Sequence, residues 1–524
     1  MSISVKDLRP SNVTPVPLSA LVDGWALNSS PDWNGVEVYG VTVDSHDVAE
    51  GEVFVAIPGA RAHGAQFASK AVKAGAVAVV TDRDGAELLS SEVELGVPVV
   101  EVADPRAVAA PLAARAYGNP AERMKLVGVT GTNGKTTTSF ASFAALEQAG
   151  ENPLIFCTAE IRLGDVSIYP ERTTMEGPVI QRILALGLEQ GCRSAVIEVS
   201  AHAISLHRIQ GMKFDVVTFL NLQHDHLDYY HTMDNYFAAK ARLCSSEFTR
   251  RAVICVDDQW GQRLAAQCDV PFVTYSAYDP QAKADWTVLE KSWDLDTIST
   301  DVVLASQSAA APSSSVKLSV PVPGEVNVQN AVAAYLMTTW GLGLSADQVI
   351  AGIKRLSVPG RMTIMSTRDQ RRPLVIVDFA HTPEALESVL RTVRELTPGR
   401  LIVVFGTDGD RDASKRPDVG RVAAENADIL WVTDENPRYE DPVQVRGQLL
   451  EGIRKVRPEL KDVIEVITCR RDAIREAIRS AQVADTVMIT GKGNEHYQEF
   501  NGVMHPFEDT IVSAEVLDAI FPLD

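Results

Sequence analysis

Short apolar runs separated by helix-like stretches recur along most of the chain. Between Val36 and Val102 the runs VEVYGVTV, VFVAIPG, AVAVVTD and VPVVEV alternate with the helix-like stretch FASKAVKAGA. Such alternation is typical of a small α/β unit. A helical stretch from Ala107 to Tyr117 then ends at Gly118-Asn119-Pro120, which we interpret as a break. We therefore predict an N-terminal α/β domain over residues 1–121.

A second unit follows, which we predict over residues 122–358. The strand KLVGVTG passes through a glycine-containing turn into the helix TTTSFASFAALEQAG, and the strands SAVIEVS and DVVTFLN come later. This order is typical of a nucleotide-binding α/β domain. Residues 273–322 differ, because polar and apolar positions alternate there and helix signals are few. We predict a β-rich insertion with a Ser/Ala-rich loop near residues 306–315.

The last part of the chain, residues 359–524, alternates once more between strands and helices. Its strand-like runs are PLVIVDFA, RLIVVFG, ADILWVT, VIEVIT and DTVMITG, with helical text after each of the first four. Strands that alternate with helices in this way indicate a parallel sheet covered on both faces. The third domain is therefore predicted to be a Rossmann-like, doubly wound α/β domain.

Composition excludes several classes of partner. The chain has 524 residues, a formal net charge of -20 and a sequence pI near 5.0, so it offers no basic face for a nucleic acid or an anionic membrane. Six cysteines are scattered without a C-x-x-C pair, which disfavours a zinc ribbon or a disulfide framework. Neither an export signal nor a long apolar run is present, and we expect a cytoplasmic protein without membrane insertion.

The clearest chemical signal is the segment between the first strand and the first helix of the central unit. Backbone N–H groups at such a glycine-rich turn can wrap phosphates, Lys135 can neutralise the outer phosphates, and the Thr136 hydroxyl can face magnesium. The strict phosphate-loop pattern fails at one place, because Val129 stands where the first glycine is expected. The predicted ATP-binding residues here are Gly131, Thr132, Asn133, Gly134, Lys135, Thr136 and Thr137.

The string GTNGKTTT and the motifs around it resemble the Mur ligase family, and within it the UDP-N-acetylmuramoyl-tripeptide synthetases. The similarity runs almost from end to end, through the segments VTVDSHDVAEGEVFVAIPG, ERTT, VIEVSAHAISLHR, FLNLQHDHLDYYHTMDNYFAAKARL, PGRM, VDFAHTPEAL, GDRDASKRP, ENPRYEDP and GKGNEHYQ. The resemblance implies a uridine-nucleotide domain, a central ATPase and a C-terminal domain that closes over the site. It also implies that ATP phosphorylates the D-glutamate carboxylate of UDP-N-acetylmuramoyl-L-alanyl-D-glutamate and that an incoming amine attacks the acyl phosphate.

The resemblance implies four catalytic residues, Lys135, Glu198, His226 and Lys240, with Mg²⁺ at two sites and ATP as co-substrate. Lys135 contacts ATP, and Glu198 together with Thr136 holds the metal that bridges the phosphates, since magnesium prefers hard oxygen ligands. His226 resembles the ligand of a second magnesium, although imidazole is not the preferred ligand of this metal. Lys240 resembles a lysine that the family carbamylates to N6-carboxylysine, and the structural alternative is a solvated helix lysine.

Further ATP contacts are implied by the resemblance. Asn330, in EVNVQN, is similar to an adenine contact, although Val326 stands where an aromatic residue is usual; the structural alternative is a helix N-cap. Arg361 in PGRM, with Asp378 and His381 in VDFAHTP, would reach ATP when the domains close. For these three residues the alternative is surface charge and capping of a strand end.

The acceptor contacts follow from the same resemblance. Ser45 belongs to the uridine-nucleotide motif, where His46 replaces the arginine that is more usual. Hydroxyls and a guanidinium suit the carboxylates and phosphates of this substrate. Leu206 stands where a glutamine is common. The other predicted acceptor-binding residues are Thr173, Thr174, Ser200 and Arg208.

The choice of amino acid is expected to depend on Asn436-Pro437-Arg438. In the family this motif indicates meso-diaminopimelate, because an arginine can fork onto a distal carboxylate that lysine lacks. Glu435 replaces the usual aspartate, and Asp408 adds a carboxylate close in sequence to Arg411, so L-lysine or L-ornithine stays open. The predicted amino-acid-binding residues are Arg411, Asn436, Arg438, Gly491 and Glu495.

Two other functions compete with this interpretation. A folylpolyglutamate synthase would share the second and third domains, but the long region before the phosphate loop argues against it. A non-catalytic nucleotide-binding scaffold should have lost residues such as Lys135, Glu198 and Lys240, which are all present. We therefore predict an active ligase whose partners are ATP, a diamino acid and the nucleotide-linked acceptor, and which is a monomer.

Overall fold

The computed structural model of the chain describes residues 4–59, 62–90, 95–294, 299–307, 315–369 and 371–522. Within these ranges the strands form sheets of four, eleven and six strands and two two-stranded ribbons. Residues 308–314, which contain most of the predicted Ser/Ala-rich loop, lie outside them. No helix of the described part has the length and apolar character needed to cross a membrane. The predicted α/β class is confirmed.

The elements are numbered along the chain. The first group is β1 (Val16–Pro17), α1 (Leu18–Leu21), β2 (Glu37–Val38), β3 (Gly40–Thr42), β4 (Glu52–Val55), α2 (Ala68–Lys73), β5 (Ala78–Thr81), α3 (Arg83–Ser90), β6 (Val99–Glu101) and α4 (Pro105–Ala116). The second group is β7 (Lys125–Thr130), α5 (Lys135–Gln148), β8 (Pro153–Phe156), β9 (Ile161–Leu163), β10 (Val166–Ile168), α6 (Gly177–Glu189), β11 (Ser194–Glu198), α7 (Ala201–Ser205), β12 (Val216–Phe219), α8 (Leu227–Tyr230), α9 (Met233–Ala241), β13 (Ala252–Cys255), α10 (Gln259–Gln267), β14 (Phe272–Ser276), β15 (Trp286–Asp294), β16 (Ser299–Ser306), β17 (Ser315–Val320), α11 (Glu325–Leu336) and α12 (Ala346–Ile353). The third group is β18 (Thr363–Ser366), β19 (Leu374–Asp378), α13 (Pro383–Glu395), β20 (Leu401–Phe405), α14 (Arg416–Asn426), β21 (Ile429–Val432), α15 (Pro442–Val456), β22 (Val463–Glu465), α16 (Arg470–Ser480), β23 (Thr486–Thr490), β24 (Tyr497–Phe500), β25 (Val503–Pro506) and α17 (Asp509–Ile520).

The chain divides into two compact units. The first comprises Met1–Glu290, Val302–Leu318 and Gln329–Arg355, and the second comprises Lys291–Asp301, Ser319–Val328 and Leu356–Asp524. The first unit holds the four-stranded sheet and most of the eleven-stranded sheet, each with its own core, and the second unit holds the six-stranded sheet. The domain boundaries at residues 121 and 358 stay predictions.

The small sheet at the start of the first unit is parallel throughout, in the order β3-β4-β5-β6. Along β4, Val53 and Val55 belong to a core that includes Leu112 of α4, whereas Phe54 belongs to a second core that includes Ala68 of α2. Because side chains alternate between the two faces of a strand, helices must cover both faces of this sheet. This explains why its strands are apolar at consecutive positions.

The large sheet has the order β10-β9-β8-β11-β7-β12-β13-β14-β15-β16-β17. In the middle of the sheet the neighbouring strands β8, β11, β7, β12, β13 and β14 pair in parallel. At one edge, β9 and β10 pair antiparallel. Glu198 at the end of β11 is opposite Val129, and Phe219 at the end of β12 is opposite Thr130. The segments after β7, β11 and β12 therefore leave the sheet at one edge, where α/β proteins bind ligands.

The sheet of the second unit has the order β18-β19-β23-β20-β21-β22, parallel except for β18. Val375, Val377, Val487 and Ile489 share a core with helices α16 and α17. The intervening strand residues, such as Ile376, are also fully buried and must face the opposite side. The predicted doubly wound domain is confirmed. The loops after β19, β20, β21 and β23 all lie at the carboxyl edge of its sheet.

A buried ion pair joins two helices of the second unit and carries a prediction about stability. Arg470 of α16 contacts both carboxylate oxygens of Asp509 at 2.7 Å, and neither side chain is exposed. Arg470→Met should lower the free energy of unfolding by about 3–5 kcal/mol, because it leaves a buried carboxylate unpaired. Urea denaturation measures this change. The matched control is Arg471→Met on the same helix, whose exposed pair with Glu515 should matter little; equal effects of both variants would contradict the prediction.

Candidate active site

The turn between β7 and α5 has the backbone shape of a phosphate loop. Gly134 has φ of 87°, and a Cβ there would lie 2.2 Å from Oδ1 of Asn330, so the position requires glycine. Lys135 donates through Nζ to the carbonyl oxygens of Gly131 and Thr132, at 3.1 and 2.9 Å. The partial positive charge at the N-terminus of α5 favours an anion at this turn.

Asn330 lies inside α11 rather than at its start. The helix begins at Glu325, so the N-cap alternative for Asn330 is wrong. The side chain is 1% exposed and lies directly against the phosphate loop. The structure therefore places this residue beside the predicted nucleotide site, next to the loop rather than at a helix end.

Asn221 holds the phosphate loop and was missed by the sequence analysis. Its Oδ1 accepts hydrogen bonds from the backbone N–H groups of Thr132 and Asn133, at 3.2 and 3.0 Å, and its Nδ2 donates to the Asn133 carbonyl oxygen at 3.2 Å. Asn221 follows β12, which lies beside β7 in the sheet. A polar residue directly after an apolar strand was the only signal in the sequence.

Two lysines converge on one carbonyl oxygen of this loop. Nζ of Lys240, in α9, donates to the Gly131 carbonyl oxygen at 2.8 Å, and this is the same oxygen that Lys135 contacts. Lys240 is 2% exposed, so the alternative of a solvated lysine is wrong. Burial, together with the nearby charge of Lys135, holds the pKa of Lys240 well below its usual value. The site therefore favours the neutral amine.

Glu198 ends β11 at the same edge of the large sheet and is fully buried. Its Oε2 accepts a hydrogen bond from the Thr158 hydroxyl at 2.9 Å, and that hydroxyl also lies 3.2 Å from the hydroxyl of Thr173. The backbone N–H of Val199, the next residue, donates to the carbonyl oxygen of Val129 at 2.8 Å. These contacts fix a hard carboxylate one strand away from the phosphate loop. Thr136, in the first turn of α5, contributes a buried hydroxyl at that loop.

His226 lies among aromatic rings rather than beside a second carboxylate cluster. Its ring centroid is 4.9 Å from that of His202 and 5.9 Å from that of Tyr236, and the Tyr236 ring in turn lies 4.9 Å from Nζ of Lys240. The side chain of His226 is 46% exposed, so the ring is accessible. The described residues contain no cluster of three or more His, Cys, Asp and Glu side chains able to hold a metal alone. The Asp225 carboxylate lies 3.4 Å from Nε2 of His226, so one oxygen donor stands beside this ring.

Three of the predicted acceptor residues form one hydrogen-bonded group. The Thr174 hydroxyl donates to the carbonyl oxygen of Glu198 at 2.8 Å and accepts from the backbone N–H of Ser200 at 3.1 Å. Ser200 also caps α7, because its hydroxyl accepts from the Ala203 N–H at 3.2 Å. Arg208 donates to the Thr174 carbonyl oxygen at 3.0 Å and pairs with Glu176 at 2.9 Å. Hydroxyls and a guanidinium thus lie next to Glu198.

In the second unit, Asp378 organises the end of β19. Its two carboxylate oxygens accept from the backbone N–H groups of Met362 and Ala380, at 2.8 and 2.7 Å, and burial raises its pKa. The guanidinium of Arg361 stacks 4.3 Å from the Phe379 ring centroid. His381 contacts the Phe379 carbonyl oxygen through Nδ1 at 2.8 Å, and burial lowers its pKa. The predicted Arg361, Asp378 and His381 therefore lie together.

The loops after β20, β21 and β23 bring a charged cluster together. Nδ2 of Asn436 donates to Asp408 at 3.0 Å and to Glu495 at 2.9 Å, and Nζ of the fully buried Lys492 donates to Asn436 Oδ1 at 3.0 Å and to Glu495 at 2.7 Å. Lys492 was not among the predicted residues. Asn436 is thus fixed on both sides of its amide, with acidic groups around it.

Arg438 lies between two carboxylates of the same cluster. Its guanidinium is 3.4 Å from Asp408 and 3.9 Å from Glu499. Asp408, which is close to Arg411 in sequence, thus pairs with Arg438 and Asn436 instead. Arg411 itself is exposed, and the hydrogen bonds described for this cluster do not include it.

Glu435 lies beneath this cluster and against Gly491. A Cβ on Gly491, whose φ is 111°, would lie 2.4 Å from Oε2 of Glu435, so glycine is required there. Burial, with the nearby Asp408 and Glu495 carboxylates, raises the pKa of Glu435 well above its usual value. Burial and the neighbouring carboxylates therefore disfavour a full negative charge on Glu435.

A phosphate loop at the carboxyl edge of a parallel sheet, with the half-buried Lys135, the buried Lys240 and a buried carboxylate around it, defines a nucleotide-binding α/β enzyme. Three family models match the chain: "Mur ligase family, catalytic domain" over residues 37–117, "Mur ligase middle domain" over residues 129–338 and "Mur ligase, glutamate ligase domain" over residues 360–493. The chain belongs to the Mur ligase family, as the resemblance implied.

Similar proteins cover the chain almost completely. A "UDP-N-acetylmuramyl-tripeptide synthetase" of Leifsonia xyli is 41% identical over 95% of each chain. A "UDP-N-acetylmuramoyl-L-alanyl-D-glutamate--2,6-diaminopimelate ligase" of Streptomyces coelicolor is 38% identical over 97% of this chain and 98% of its own. A solved structure with the same name has a TM-score of 0.67 and 30% identity, over 97% of this chain and 99% of that one.

More distant structures show the fold alone. The MurF ligase of Thermotoga maritima in complex with ADP is 18% identical, with a TM-score of 0.63 over 92% of this chain and 98% of that one. A folylpolyglutamate synthase of Mycobacterium tuberculosis with ADP covers 73% of this chain. The shared fold therefore extends to folylpolyglutamate synthases, as expected for the predicted second and third domains.

Proposed function

We propose that this enzyme is the ATP-dependent ligase that adds meso-diaminopimelate to the D-glutamate of UDP-N-acetylmuramoyl-L-alanyl-D-glutamate, in peptidoglycan precursor synthesis. The proposal is carried by the relatives named for this reaction, which are 37–38% identical over 97% of the chain. The geometry of the phosphate loop supports the ATP-dependent reaction, and Arg438 supplies a guanidinium for a distal carboxylate. A reaction between ATP and a nucleotide-linked precursor also supports a cytoplasmic location.

The first chemical step is transfer of the γ-phosphoryl group of ATP to the D-glutamate carboxylate, with ADP as the leaving group. Both reactants are anionic, so the protein must chiefly supply positive charge and alignment. Lys135 and the loop of residues 131–137 are assigned to the phosphates, and Asn330 to the adenine. Attack by the amine on the acyl phosphate then forms the amide and releases phosphate.

Magnesium fits the donors at this edge of the sheet. The carboxylate of Glu198 and the hydroxyl of Thr136 are hard oxygen donors, and the exposed ring of His226 is the candidate for a second site. Bound Mg²⁺ supplies positive charge to the phosphates. The role of the chain is to hold the carboxylate in place, which the hydrogen bond from Thr158 to Glu198 does.

Carbamylation of Lys240 is supported by the electrostatics of the loop. Both Lys135 and Lys240 direct Nζ at the Gly131 carbonyl oxygen, so a charge on Lys240 would repel that of Lys135. Conversion of one amine to a carbamate replaces like-charge repulsion by attraction to Lys135. The resulting anionic oxygens would orient the acyl phosphate and a metal ion. Formation of the carbamate needs the neutral amine, which the lowered pKa of Lys240 provides.

The acceptor and amino-acid sites are assigned on the same basis. Ser45 is proposed to contact the uridine nucleotide, and Thr173, Thr174, Ser200 and Arg208 the muramoyl dipeptide. Asn436, Arg438, Gly491 and Glu495, with Arg411, are proposed to hold the amino acid. Arg361, Asp378 and His381 are assigned to ATP. A monomeric state stays a prediction.

The pairing of Arg438 favours a second candidate, in which L-lysine or L-ornithine is added. Asp408 and Glu499 partly neutralise the guanidinium that a distal carboxylate would need. A diamino acid with a simple cationic end would suit this acidic surrounding. The two candidates share one reaction and differ only in the end of the amino acid.

Asp408→Asn tests how far this carboxylate sets the choice. The amide keeps a hydrogen-bond acceptor for Asn436 and removes one negative charge beside Arg438. We expect kcat/KM for meso-diaminopimelate to rise relative to that for L-lysine by about two- to fivefold, the effect of one partly exposed charge pair. Initial rates with each amino acid measure the ratio, and Asp441→Asn, at the exposed cap of α15, is the control. An unchanged ratio would show that Asp408 does not influence selectivity.

Phosphate release with one substrate left out at a time tests the proposed reaction. Release should require ATP, the UDP-linked dipeptide and the amino acid together, and mass spectrometry should identify the UDP-linked tripeptide. A non-catalytic scaffold would bind nucleotide and release no phosphate with any combination, which would exclude a ligase.

A further inference from the structure

A buried ion-pair network connects the predicted uridine loop to a helix behind the acceptor site. Arg182 of α6 is 1% exposed, and its Nη1 lies 3.0 Å from Oδ2 of Asp47. Nη2 of Arg182 donates to the carbonyl oxygen of Val5 at 3.1 Å. Arg9 reaches the other carboxylate oxygen of Asp47 at 2.7 Å. Two guanidinium groups thus pair with the Asp47 carboxylate, and the Asp47 side chain is only 7% exposed.

Asp47 belongs to the turn that carries Ser45. Its backbone N–H donates to the Asp44 carbonyl oxygen at 2.9 Å, and the His46 N–H donates to the Asp44 carboxylate at 2.8 Å. Nζ of Lys6 also contacts the turn, because it donates a hydrogen bond to the His46 carbonyl oxygen at 3.1 Å. The shape of residues 44–47 is therefore fixed by two sets of contacts. The two arginines pair with Asp47, and Lys6 binds the His46 carbonyl oxygen.

The start of the same helix, α6, is fixed beside Arg208, one of the predicted dipeptide-binding residues. Glu176, the residue before α6, pairs with Arg208, and a Cβ on Gly177 would lie 2.8 Å from the Arg208 carbonyl oxygen and 2.3 Å from Cβ of Ala110. The six residue steps from Glu176 to Arg182 correspond to a rise of about 9 Å along a helix. One rigid element thus connects the Ser45 turn to the group of Thr174, Ser200 and Arg208.

We propose that Arg182 is a positioning residue, which through Asp47 holds the Ser45 turn at a fixed spacing from the Arg208 group and so matches the length of the nucleotide-linked acceptor. This inference rests on the proposed function of that turn as the uridine-nucleotide site. Arg182 is buried below the turn, so it acts through Asp47 rather than by contact with the substrate. Replacement of Arg182 should therefore weaken only the binding of the nucleotide end of the acceptor.

The test compares two acceptors in Arg182→Gln and Arg182→Lys. One is UDP-N-acetylmuramoyl-L-alanyl-D-glutamate, and the other is the 1-phosphate of the same muramoyl dipeptide, which lacks the uridine monophosphate. For Arg182→Gln we expect KM for the UDP-linked acceptor to rise about 10- to 100-fold, as for the loss of a charge-assisted hydrogen bond, while kcat and the KM values for ATP and the amino acid stay the same. With the shortened acceptor, variant and wild type should have equal kcat/KM. Arg182→Lys should recover part of the lost affinity, because its charge still faces Asp47.

Arg9→Gln provides a second variant at a side chain that is 26% exposed, and it also removes the pair between Arg9 and the buried Glu52. It removes one of the two ion pairs of Asp47 and should give a smaller rise in the KM for the UDP-linked acceptor than Arg182→Gln does. An equal loss on both acceptors, or an unchanged KM for the UDP-linked acceptor in folded Arg182→Gln, would overturn the inference. If the wild type itself does not use the UDP-linked acceptor, the proposed function fails rather than the role of Arg182.

Discussion

Replacing Lys135 with alanine should reduce phosphate release by roughly 1,000-fold, the largest effect expected of any single change at the phosphate loop. The lysine donates through Nζ to the carbonyl oxygens of Gly131 and Thr132, so its charge lies at the loop assigned to the phosphates. Transfer between two anions depends on this positive charge. Initial rates at saturating acceptor and amino acid, with ATP varied, give the loss in kcat/KM.

Lys125→Ala is the matched control for this variant. Lys125 begins β7, the strand that leads into the loop, and its partly exposed side chain pairs with Glu151 at 2.8 Å. It should keep near-wild-type rates. Comparable losses in both variants would indicate a general effect on the strand and would contradict the assigned role of Lys135.

The second large effect is expected for Lys240→Ala, which should lose activity by roughly 100- to 1,000-fold if a carbamate orients the acyl phosphate. A ¹³C-bicarbonate-labelled wild-type protein should show a carbamate resonance that the variant lacks. Acidification should reduce activity as pH falls through the lowered pKa of Lys240, because the protonated amine cannot add carbon dioxide. Added bicarbonate should oppose this loss near neutral pH.

Lys213→Ala provides the control for the carbamate experiment. This lysine precedes β12, at the end of the strand opposite to the loop, and contacts the carbonyl oxygen of Ser246, so it should not be carbamylated. Loss of the carbamate resonance in Lys213→Ala, or full activity in Lys240→Ala, would contradict the assignment of the modified residue.

The fold was predictable to the extent that buried parallel strands appear as apolar runs. The strand VVTF and the strand SAVIE are both recognisable in the sequence, and both are confirmed as β12 and β11. The order of strands within the sheet was not predictable, because β7 lies between β11 and β12, which come later in the chain. Spacing along the sequence does not indicate such crossovers.

The same limit explains what was missed at the site. Asn221 holds the phosphate loop across 88 residues of sequence, so its role depends on the adjacency of β12 and β7. Asp408 is adjacent in sequence to the Arg411 segment, but its carboxylate pairs with Arg438, 30 residues away. Residues within one contiguous motif, such as Gly134 and Lys135, were predicted together because the turn itself brings them together.

The central claim is tested most directly by competition between amino acids. Purified enzyme is given ATP, UDP-N-acetylmuramoyl-L-alanyl-D-glutamate and an equimolar mixture of meso-diaminopimelate, L-lysine and L-ornithine, and the UDP-linked tripeptides are quantified by mass spectrometry. We predict that the diaminopimelate product dominates, with Arg438 on the distal carboxylate. Dominance of the lysine or ornithine product would contradict the assigned substrate, and absence of any tripeptide would contradict the ligase activity itself.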